Sequence, residues 1–246
     1  FALYGDMSSR VMSLLTDMAP ETEIYSIDEA FMNFSGVKES VRLASKMKSI
    51  IAKSTGIPIS IGIAGTKTLA KVANYFAKKQ TDKGVYALTD QQQIMRALKE
   101  LPVSKLWGVG SRHLRMLHSY GITTAYEFVQ LNEEWVLDKM TIMGLRMQQE
   151  LKGDSRFALD VYPARKKNIR TSRSFGIKVK SLQTIQESII AHAARCAEKL
   201  RMENSCARYV SVILRTNPFS KSQDYYYGYK SINLEIPTND SMEIVK

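Results

Sequence analysis

The sequence is poor in cysteine, glycine and proline, and it lacks long hydrophobic runs. Its two cysteines, Cys196 and Cys206, are too few for a disulfide framework and lack the CxxC spacing of metal and redox motifs. The 13 Gly and 6 Pro follow no repeat, which excludes collagen-like and low-complexity chains. No apolar run reaches the ~18 residues of a membrane-spanning helix, and no signal peptide is evident. We therefore expect a globular protein of the reducing cytoplasm.

Positive charge, in contrast, is abundant. The 246 residues include 35 Lys plus Arg and 24 Asp plus Glu, a formal net charge of +11. Residues 1–87 carry 11 basic and 8 acidic side chains, residues 88–164 carry 9 of each, and residues 165–246 carry 15 and 7. The last segment alone therefore has a net charge of +8. Such an excess predicts a polyanionic partner, nucleic acid first and an acidic membrane surface second.

The hydrophobic pattern of the first two thirds predicts an α+β fold. Residues 1–87 show the order helix, hairpin, helix, strand, helix and strand, which is typical of a sheet covered by helices. Residues 88–164 contain no convincing strand and are expected to form short helices. The predicted breaks between these helices are Gly108, Gly110, Gly121, Asn132 and Gly144.

A linker over residues 154–168 separates these helices from a second small sheet. The pattern beyond the linker predicts a strand from Thr171 to Val179 and a helix from Leu182 to about Glu203. Two further strands are predicted over 209–214 and 225–236. This β-α-β-β order indicates a small open sheet with helices on one face.

The adjacent carboxylates Asp28 and Glu29 lie between two short apolar strands. Neighbouring residues of an ideal strand point to opposite faces, whereas at a hairpin turn both can converge on one point. Two oxygen ligands there suit Mg²⁺, which binds one or two carboxylates together with substrate phosphates. A pair of such ions supports in-line phosphoryl transfer. The alternative interpretation is an ordinary solvated turn.

A basic helix follows a glycine-bearing strand. Lys67, Lys71 and Lys78 are separated by four and then seven residues, so they lie on nearly one helical face. A basic stripe beside a carboxylate turn would suit a polyphosphate and its metal ions. The Walker A pattern is absent. An exposed amphipathic lysine face is the alternative.

The segment around Gly108, Val109 and Gly110 is typical of a hairpin between two helices. Glycines allow close backbone approach, and the N–H groups that begin the following helix can bind a phosphate oxygen. With Arg112 in that helix, the segment predicts a sequence-independent contact with a DNA backbone. A simple packing turn between helices is the alternative.

The start of the last third is also basic. Arg170, Arg173, Lys178 and Lys180 are predicted to contact backbone phosphates, with Lys178 and Lys180 on one face of the predicted strand. The tyrosines at 225–227 and 229 have the chemistry to stack on bases, although a hairpin core is the favoured interpretation.

The order of these features resembles the Y-family translesion DNA polymerases, and within them the UmuC branch. The similarity covers the whole chain and is carried by LYGDMSSRVM, IYSIDEAF, SIGIAGTKTLAKVANYFAKK, LPVSKLWGVG, SRSFG and AARCAEKLR. It implies a partial palm over 1–87, a helix-hairpin-helix thumb over 88–164 and a partial little finger over 165–246.

The resemblance also implies roles for individual residues. Asp28 would bind a metal ion, and Glu29 would be the second acidic residue near the primer 3′-hydroxyl. Lys78 matches the lysine that holds the incoming triphosphate, and Lys71 matches the lysine that precedes it on the helix, so both are expected to bind the triphosphate. Gly108 and Gly110 match the hairpin that grips DNA. The implied cofactors are two Mg²⁺ ions. The implied partners are primer-template DNA, a dNTP, UmuD-like subunits, a recombinase filament and a sliding clamp, with no membrane.

The sequence departs from the family pattern before its SIDE segment. The family's first metal-binding aspartate, its steric-gate aromatic residue and the phosphate contacts of its fingers have no counterpart after Phe1. We therefore expect an inactive internal fragment of a polymerase, which also lacks the C-terminal tail. One alternative is a DNA-binding module without catalysis. Another is a metal-dependent phosphotransferase with a palm-like fold.

Overall fold

A computed structural model describes residues 2–19, 21–80, 84–162, 165–220 and 224–246. The chain forms two compact units, Phe1–Pro163 and Ala164–Lys246. The first unit contains, in order, α1 (Ala2–Met18), β1 (Thr22–Ile24), β2 (Ala30–Met32), α2 (Ser40–Thr55), β3 (Ile61–Ala64), α3 (Lys67–Gln80), β4 (Val85–Leu88), α4 (Gln91–Glu100), a 3₁₀ turn (Val103–Lys105), α5 (Ser111–Ser119), α6 (Ala125–Val129) and α7 (Glu133–Lys152).

The first of two hydrophobic cores in this unit lies between α1, α2 and the strands β3 and β4. Apolar residues at helical spacing, among them Met47 and Ile51 of α2, are buried against Ile61 and Val85. The strands β3 and β4 pair in parallel, with Ile61 opposite Val85. The predicted order of helices and strands over residues 1–87 is therefore confirmed.

The strand β3 lies directly on the backbone of α3. A Cβ atom at Gly62 would be 2.2 Å from the backbone nitrogen of Asn74, so a larger residue would force the strand and the helix apart. Next to this contact, the Ser60 hydroxyl donates to Asn74 Oδ1 at 2.7 Å. This close approach fixes α3, which carries the predicted lysine stripe.

The second core joins α3 and β4 to the helices that follow them. Leu69 and Phe76 of α3 are buried in one cluster with Leu117, Phe128 and other apolar residues of α4–α7. Hydrophobic packing therefore continues across the predicted boundary at residues 87 and 88. The division into palm and thumb stays a prediction.

The predicted break at Gly144 is misplaced by three residues. The helix α7, Glu133–Lys152, is kinked at Thr141, whose φ of 64° and ψ of −177° are not helical, and Gly144 lies in the helical part beyond the kink. Met140 and Met147, on either side of Gly144, are both buried in the second core. A Cβ atom at Gly144 would lie 2.3 Å from Cβ of Met140, so glycine is required for this close contact across the kink.

The second unit contains α8 (Leu182–Met202), β5 (Ala207–Arg215), β6 (Tyr227–Thr238) and α9 (Ser241–Val245). Its core is small and includes Ala197 and Leu200 of α8 with Ile244 of α9. The antiparallel pair β5–β6 confirms two of the predicted strands. Residues 163 and 164 of the predicted linker lie outside the described residues.

The predicted strand from Thr171 to Val179 is wrong. These residues form no regular ladder in the described part of the unit. Instead, the Thr171 hydroxyl donates to the backbone carbonyl of His192 in α8 at 3.2 Å. The segment SRSFG places polar and glycine residues where a strand needs apolar ones, and its side chains from Ser172 to Lys178 are exposed. The observed order in this unit is helix, strand, strand, helix.

Candidate functional site

The turn between β1 and β2 carries the two predicted carboxylates. The backbone N–H groups of Tyr25 and Ser26 both donate to the Glu29 carbonyl at 3.0 Å, which closes the turn. Asp28 is exposed at its tip, where Oδ1 accepts from the Ser26 hydroxyl at 2.7 Å. The Ser8 hydroxyl of α1 donates to the Ile27 carbonyl at 2.5 Å. The turn is thus tied to α1 while Asp28 stays open to solvent.

Glu29 forms an ion pair with Lys71 of α3. The distance from Lys71 Nζ to Glu29 Oε2 is 2.6 Å, and the two side chains are 19% and 33% exposed. This ion pair places α3 beside the turn. The direct ion pair was not predicted, because the two residues are 42 positions apart.

Three aromatic rings surround the Lys71 ammonium group, and we call them the aromatic box. Lys71 Nζ is 4.8 Å from the ring centroid of Tyr25, 5.5 Å from Trp107 and 5.7 Å from Phe31. The Trp107 indole N–H donates to the Tyr25 hydroxyl at 3.0 Å, which orients two of the rings. These contacts lie in the range of cation–π interactions.

A second ion pair, which sequence reasoning missed, lies one turn earlier on α3. Lys67 pairs with Glu23 of β1, and both side chains are 11% exposed. Lys67 Nζ also donates to the Ala158 carbonyl at 2.6 Å, and Glu23 Oε2 accepts from the Asp160 N–H at 2.8 Å. The available signal was a charged residue inside the short strand Thr22–Ile24, since a buried charge requires a partner.

Lys78 differs from these two lysines. It is exposed near the end of α3, and within the part of the chain that the structure describes its ammonium group forms no hydrogen bond or ion pair. The predicted stripe is therefore divided between Lys67 and Lys71, which pair with carboxylates, and Lys78, whose charge is open to a ligand.

The glycine hairpin precedes α5 as predicted. Gly108 has φ of 92°, a left-handed conformation that favours glycine, and it lies close to Met147 of α7. Gly110 is the N-cap residue of α5 and provides no side-chain cap. Gly110 and Arg112 are exposed, and Val109 is half-buried against the second core. The first N–H groups of α5 therefore face an exposed turn next to a guanidinium group.

The predicted basic residues of the second unit are all exposed. Arg170, Arg173, Lys178 and Lys180 lie in the irregular segment before α8. The prediction that Lys178 and Lys180 share one face assumed a strand, in which alternate side chains point the same way. Because this segment is not a strand, that assumption does not hold. Their shared property is exposure on one short stretch of chain.

The tyrosines near β6 do not form a hairpin core, contrary to the favoured interpretation. Tyr225, Tyr226, Tyr227 and Tyr229 are 52–60% exposed. The Tyr229 hydroxyl lies 2.6 Å from that of Tyr209 on β5, and hydrogen bonds from Tyr209 and two serines lower the pKa of Tyr229. The opposite face of β5 packs toward the core through Val210, which leaves the tyrosines outside.

The donor set at the turn fits a divalent cation. Asp28 and Glu29 supply two carboxylates adjacent in sequence, and the carboxylate of Asp28 is exposed to solvent. Among the described residues no group of three or more His, Cys, Asp or Glu side chains is placed to hold a metal. The remaining ligands would therefore come from water, substrate phosphates or further protein oxygens.

Comparison with known proteins assigns the chain to a family. Residues 1–75 match the profile of the impB/mucB/samB family, and residues 166–246 match the profile of that family's C-terminal domain. The chain belongs to the impB/mucB/samB family. UmuC of Salmonella typhimurium strain LT2 is 38% identical over 252 residues, with 100% of this chain and 59% of UmuC covered.

Other curated proteins are also similar to this chain over nearly its whole length. MucB of Escherichia coli is 34% identical, with 100% of this chain and 60% of MucB covered. DNA polymerase IV of Desulfatibacillum aliphaticivorans is 28% identical, with 99% and 60% covered. The chain thus spans about three fifths of the length of these relatives.

Solved structures show the same fold. A Y-family DNA polymerase chimera of Dbh and Dpo4 superposes with a TM-score of 0.72 at 20% identity, covering 99% of this chain and 69% of the chimera. An insertion ternary complex of Dbh DNA polymerase gives a TM-score of 0.57 at 21% identity, with 99% and 69% covered. In the described parts of this impB/mucB/samB chain, no helix has the length and apolarity required to cross a membrane.

Proposed function

We propose that this chain is part of a DNA-directed DNA polymerase that copies damaged templates. The observation that carries the proposal is the Asp28–Glu29 turn beside the lysines of α3, in a chain 38% identical to UmuC. A relative named DNA polymerase IV and the Y-family polymerase folds support the same activity. Both cysteines are free thiols, which supports placing this activity in the reducing cytoplasm.

In this proposal Asp28 and Glu29 are the carboxylates that hold divalent metal ions, of which two Mg²⁺ are expected. When bound, such ions neutralise phosphate charge and lower the pKa of an attacking hydroxyl. The chain's own part is to fix the carboxylates. The backbone bonds to the Glu29 carbonyl and the Ser26–Asp28 bond hold both acidic residues in one turn.

The exposed lysine of α3 is the proposed contact to the nucleotide. Lys78 has an uncompensated charge on an ordered helix, which suits a triphosphate of the incoming dNTP. Lys71, the other lysine with this expected role, is engaged by Glu29 at 2.6 Å. Its charge is therefore less available to a phosphate than that of Lys78.

The proposed contacts to primer-template DNA are the Gly108–Val109–Gly110 hairpin with Arg112 and the exposed residues Arg170, Arg173, Lys178 and Lys180. Backbone N–H groups and basic side chains bind phosphates without reading sequence, as a polymerase requires. UmuD-like subunits, a recombinase filament and a sliding clamp remain expectations from the resemblance.

The polymerase assignment is tested by measuring primer extension by the full-length protein with the substitution Asp28→Ala. We expect primer extension to fall by at least about 10³-fold, because a lost metal carboxylate removes stabilisation of the transferring phosphoryl group. Binding to primer-template DNA, measured by fluorescence anisotropy, should stay within about threefold, because among the described residues Asp28 forms no ion pair and its side chain accepts only from the Ser26 hydroxyl.

The matched control is Asp17→Ala, which removes an exposed carboxylate elsewhere in the first unit. Primer extension by this variant should equal that of the wild type. Unchanged extension by Asp28→Ala would refute the metal-ligand role of this turn.

A second candidate function is sequence-independent DNA binding by this chain without catalysis. The observation that favours it is the excess of 15 basic over 7 acidic residues in residues 165–246. DNA binding by the 246-residue chain without primer extension would support this function.

A further inference from the structure

We propose that Lys71 is an exchangeable counter-ion of Glu29, which occupies the carboxylate until a divalent cation replaces it. The inference rests on the proposed metal role of Asp28 and Glu29. It gives Lys71 a positioning role on a carboxylate, in place of the contact to a triphosphate expected from the resemblance.

The first support is the difference between the two ion pairs of α3. The Lys67–Glu23 pair is 11% exposed on both sides and is fixed by the Ala158 carbonyl and the Asp160 N–H. Among the described residues, the Glu29 carboxylate accepts hydrogen bonds from Lys71 alone, and Lys71 donates to Glu29 alone. The Lys67–Glu23 pair is held in place by further hydrogen bonds and is therefore fixed. The Lys71–Glu29 pair can separate without breaking any other hydrogen bond.

The second support is the aromatic box. An ammonium group that leaves a carboxylate in a half-buried site requires another stabilising environment. Tyr25, Trp107 and Phe31 lie within 4.8–5.7 Å of Lys71 Nζ and supply negative ring faces. Lys71 can therefore stay beside the turn as a charge after Glu29 has turned to a metal ion.

The third support is electrostatic. Glu29 is adjacent in sequence to Asp28, whose carboxylate is exposed, so one short turn carries two negative charges that repel each other. The ammonium group at 2.6 Å compensates this repulsion and keeps the Glu29 side chain on the α3 side of the turn. A divalent cation supplies the same compensation more strongly, so the two cations compete for one carboxylate.

The test measures Mn²⁺ binding to the full-length protein by calorimetry at constant ionic strength. Lys71→Met should tighten Mn²⁺ binding by about 10-fold, because it removes a competing charge from a partly exposed carboxylate. Lys71→Arg keeps the charge and should stay within about threefold of the wild type. Lys79→Met removes a charge from the same helix, where it stacks on Tyr75, and should leave the affinity unchanged.

A spectroscopic signal reports the site itself. Tb³⁺ bound at the turn should show luminescence excited through the indole of Trp107, and Trp107→Phe should remove most of it. Far-UV circular dichroism checks folding, and Lys71→Gln replaces Lys71→Met if the latter does not fold.

The outcomes separate this proposal from the proposed function. If Glu29→Gln weakens Mn²⁺ binding but Lys71→Met does not strengthen it, the counter-ion role is refuted and the metal role stands. If Mn²⁺ binds none of these proteins, both are refuted. If the gain in Lys71→Met is lost when Glu29→Gln is added, the two residues act on each other and the exchange is supported.

Discussion

The buried carboxylate of Glu150 holds together the surroundings of the candidate site. It accepts hydrogen bonds from the backbone N–H groups of Thr68, Arg156 and Phe157 at 2.8–3.0 Å and from the Thr68 hydroxyl at 3.1 Å. Thr68 lies in the first turn of α3, so Glu150 satisfies an N–H group that has no partner within the helix. Phe157 in turn contacts Trp107 of the aromatic box. The Glu150 side chain thus connects the start of α3 with the aromatic box.

We expect Glu150→Ala to lower the free energy of unfolding by about 3 kcal/mol, since four donors would lose a buried acceptor. Glu150→Gln should cost about 1–3 kcal/mol, because its amide NH₂ would face N–H donors. Urea unfolding followed by circular dichroism measures both.

The matched control for these variants is Arg146→Ala, which truncates an exposed side chain on the same helix. It should change the stability by no more than about 0.5 kcal/mol. An equal loss in Arg146→Ala and Glu150→Ala would contradict the role of the buried acceptor.

Sequence reasoning located single residues better than it located their partners. Asp28, Glu29 and Gly108 lie in the turns that the pattern predicted. Trp107, in contrast, reaches Tyr25 across 82 positions, and no local pattern encodes such a contact. The aromatic residues that flank the SIDE segment were the signal available, but they also fit ordinary strand residues.

At the scale of elements, packing explains both where prediction succeeded and where it failed. The strands of the first 87 residues and the helix α8 have clear apolar periodicity, and both are observed. The segment Thr171–Val179 pairs with no strand among the described residues, and its apolar side chains Phe175 and Ile177 are 45% and 81% exposed. The helix α7 is kinked at Thr141 and not at Gly144, which lies against the buried side chain of Met140. Local propensity decided neither of these two cases.

The helix α6 provides a prediction at this scale. Thr124 and Glu127 form a capping box, in which Glu127 accepts from the N–H groups of Thr123 and Thr124 and from the Thr123 hydroxyl. These bonds lower the pKa of Glu127 from 4.5 to about 2. Because the folded pKa is depressed, the stabilisation is complete above the unfolded pKa and is lost as the pH falls through about 2.

We therefore expect Glu127→Gln to lower the melting temperature at neutral pH, and we expect this difference from the wild type to shrink between about pH 5 and about pH 2. Thermal unfolding followed by circular dichroism across this range measures the effect. Glu134→Gln, in the first turn of α7, controls for the loss of one exposed carboxylate. A difference that stays constant with pH would contradict the capping role.

At the scale of the whole molecule, the net charge of +11 divides into a neutralised part and an open part. On α3, Lys67 and Lys71 are paired with glutamates, so their charges contribute little to an external field. In residues 165–246, the basic residues before α8 are exposed in an irregular segment. The net positive charge is concentrated in residues 165–246, which carry 15 basic and 7 acidic side chains, and there we expect the electrostatic attraction for DNA to originate.

Salt dependence tests where this attraction originates. The affinity of the 246-residue chain for a labelled primer-template should fall linearly with salt concentration on a log–log scale. Each phosphate contact contributes about −0.9 to the slope. Replacing Arg170, Arg173, Lys178 and Lys180 together by Ala should reduce the slope by up to about 3.6, because each contact releases its own counterions.

The control replaces the exposed residues Lys38, Arg42, Lys46 and Lys53 by Ala, which changes the net charge equally. If both variants reduce the slope by the same amount, the affinity follows net charge alone and no DNA contact belongs to the segment before α8. A reduction confined to the first variant places the contact on that segment.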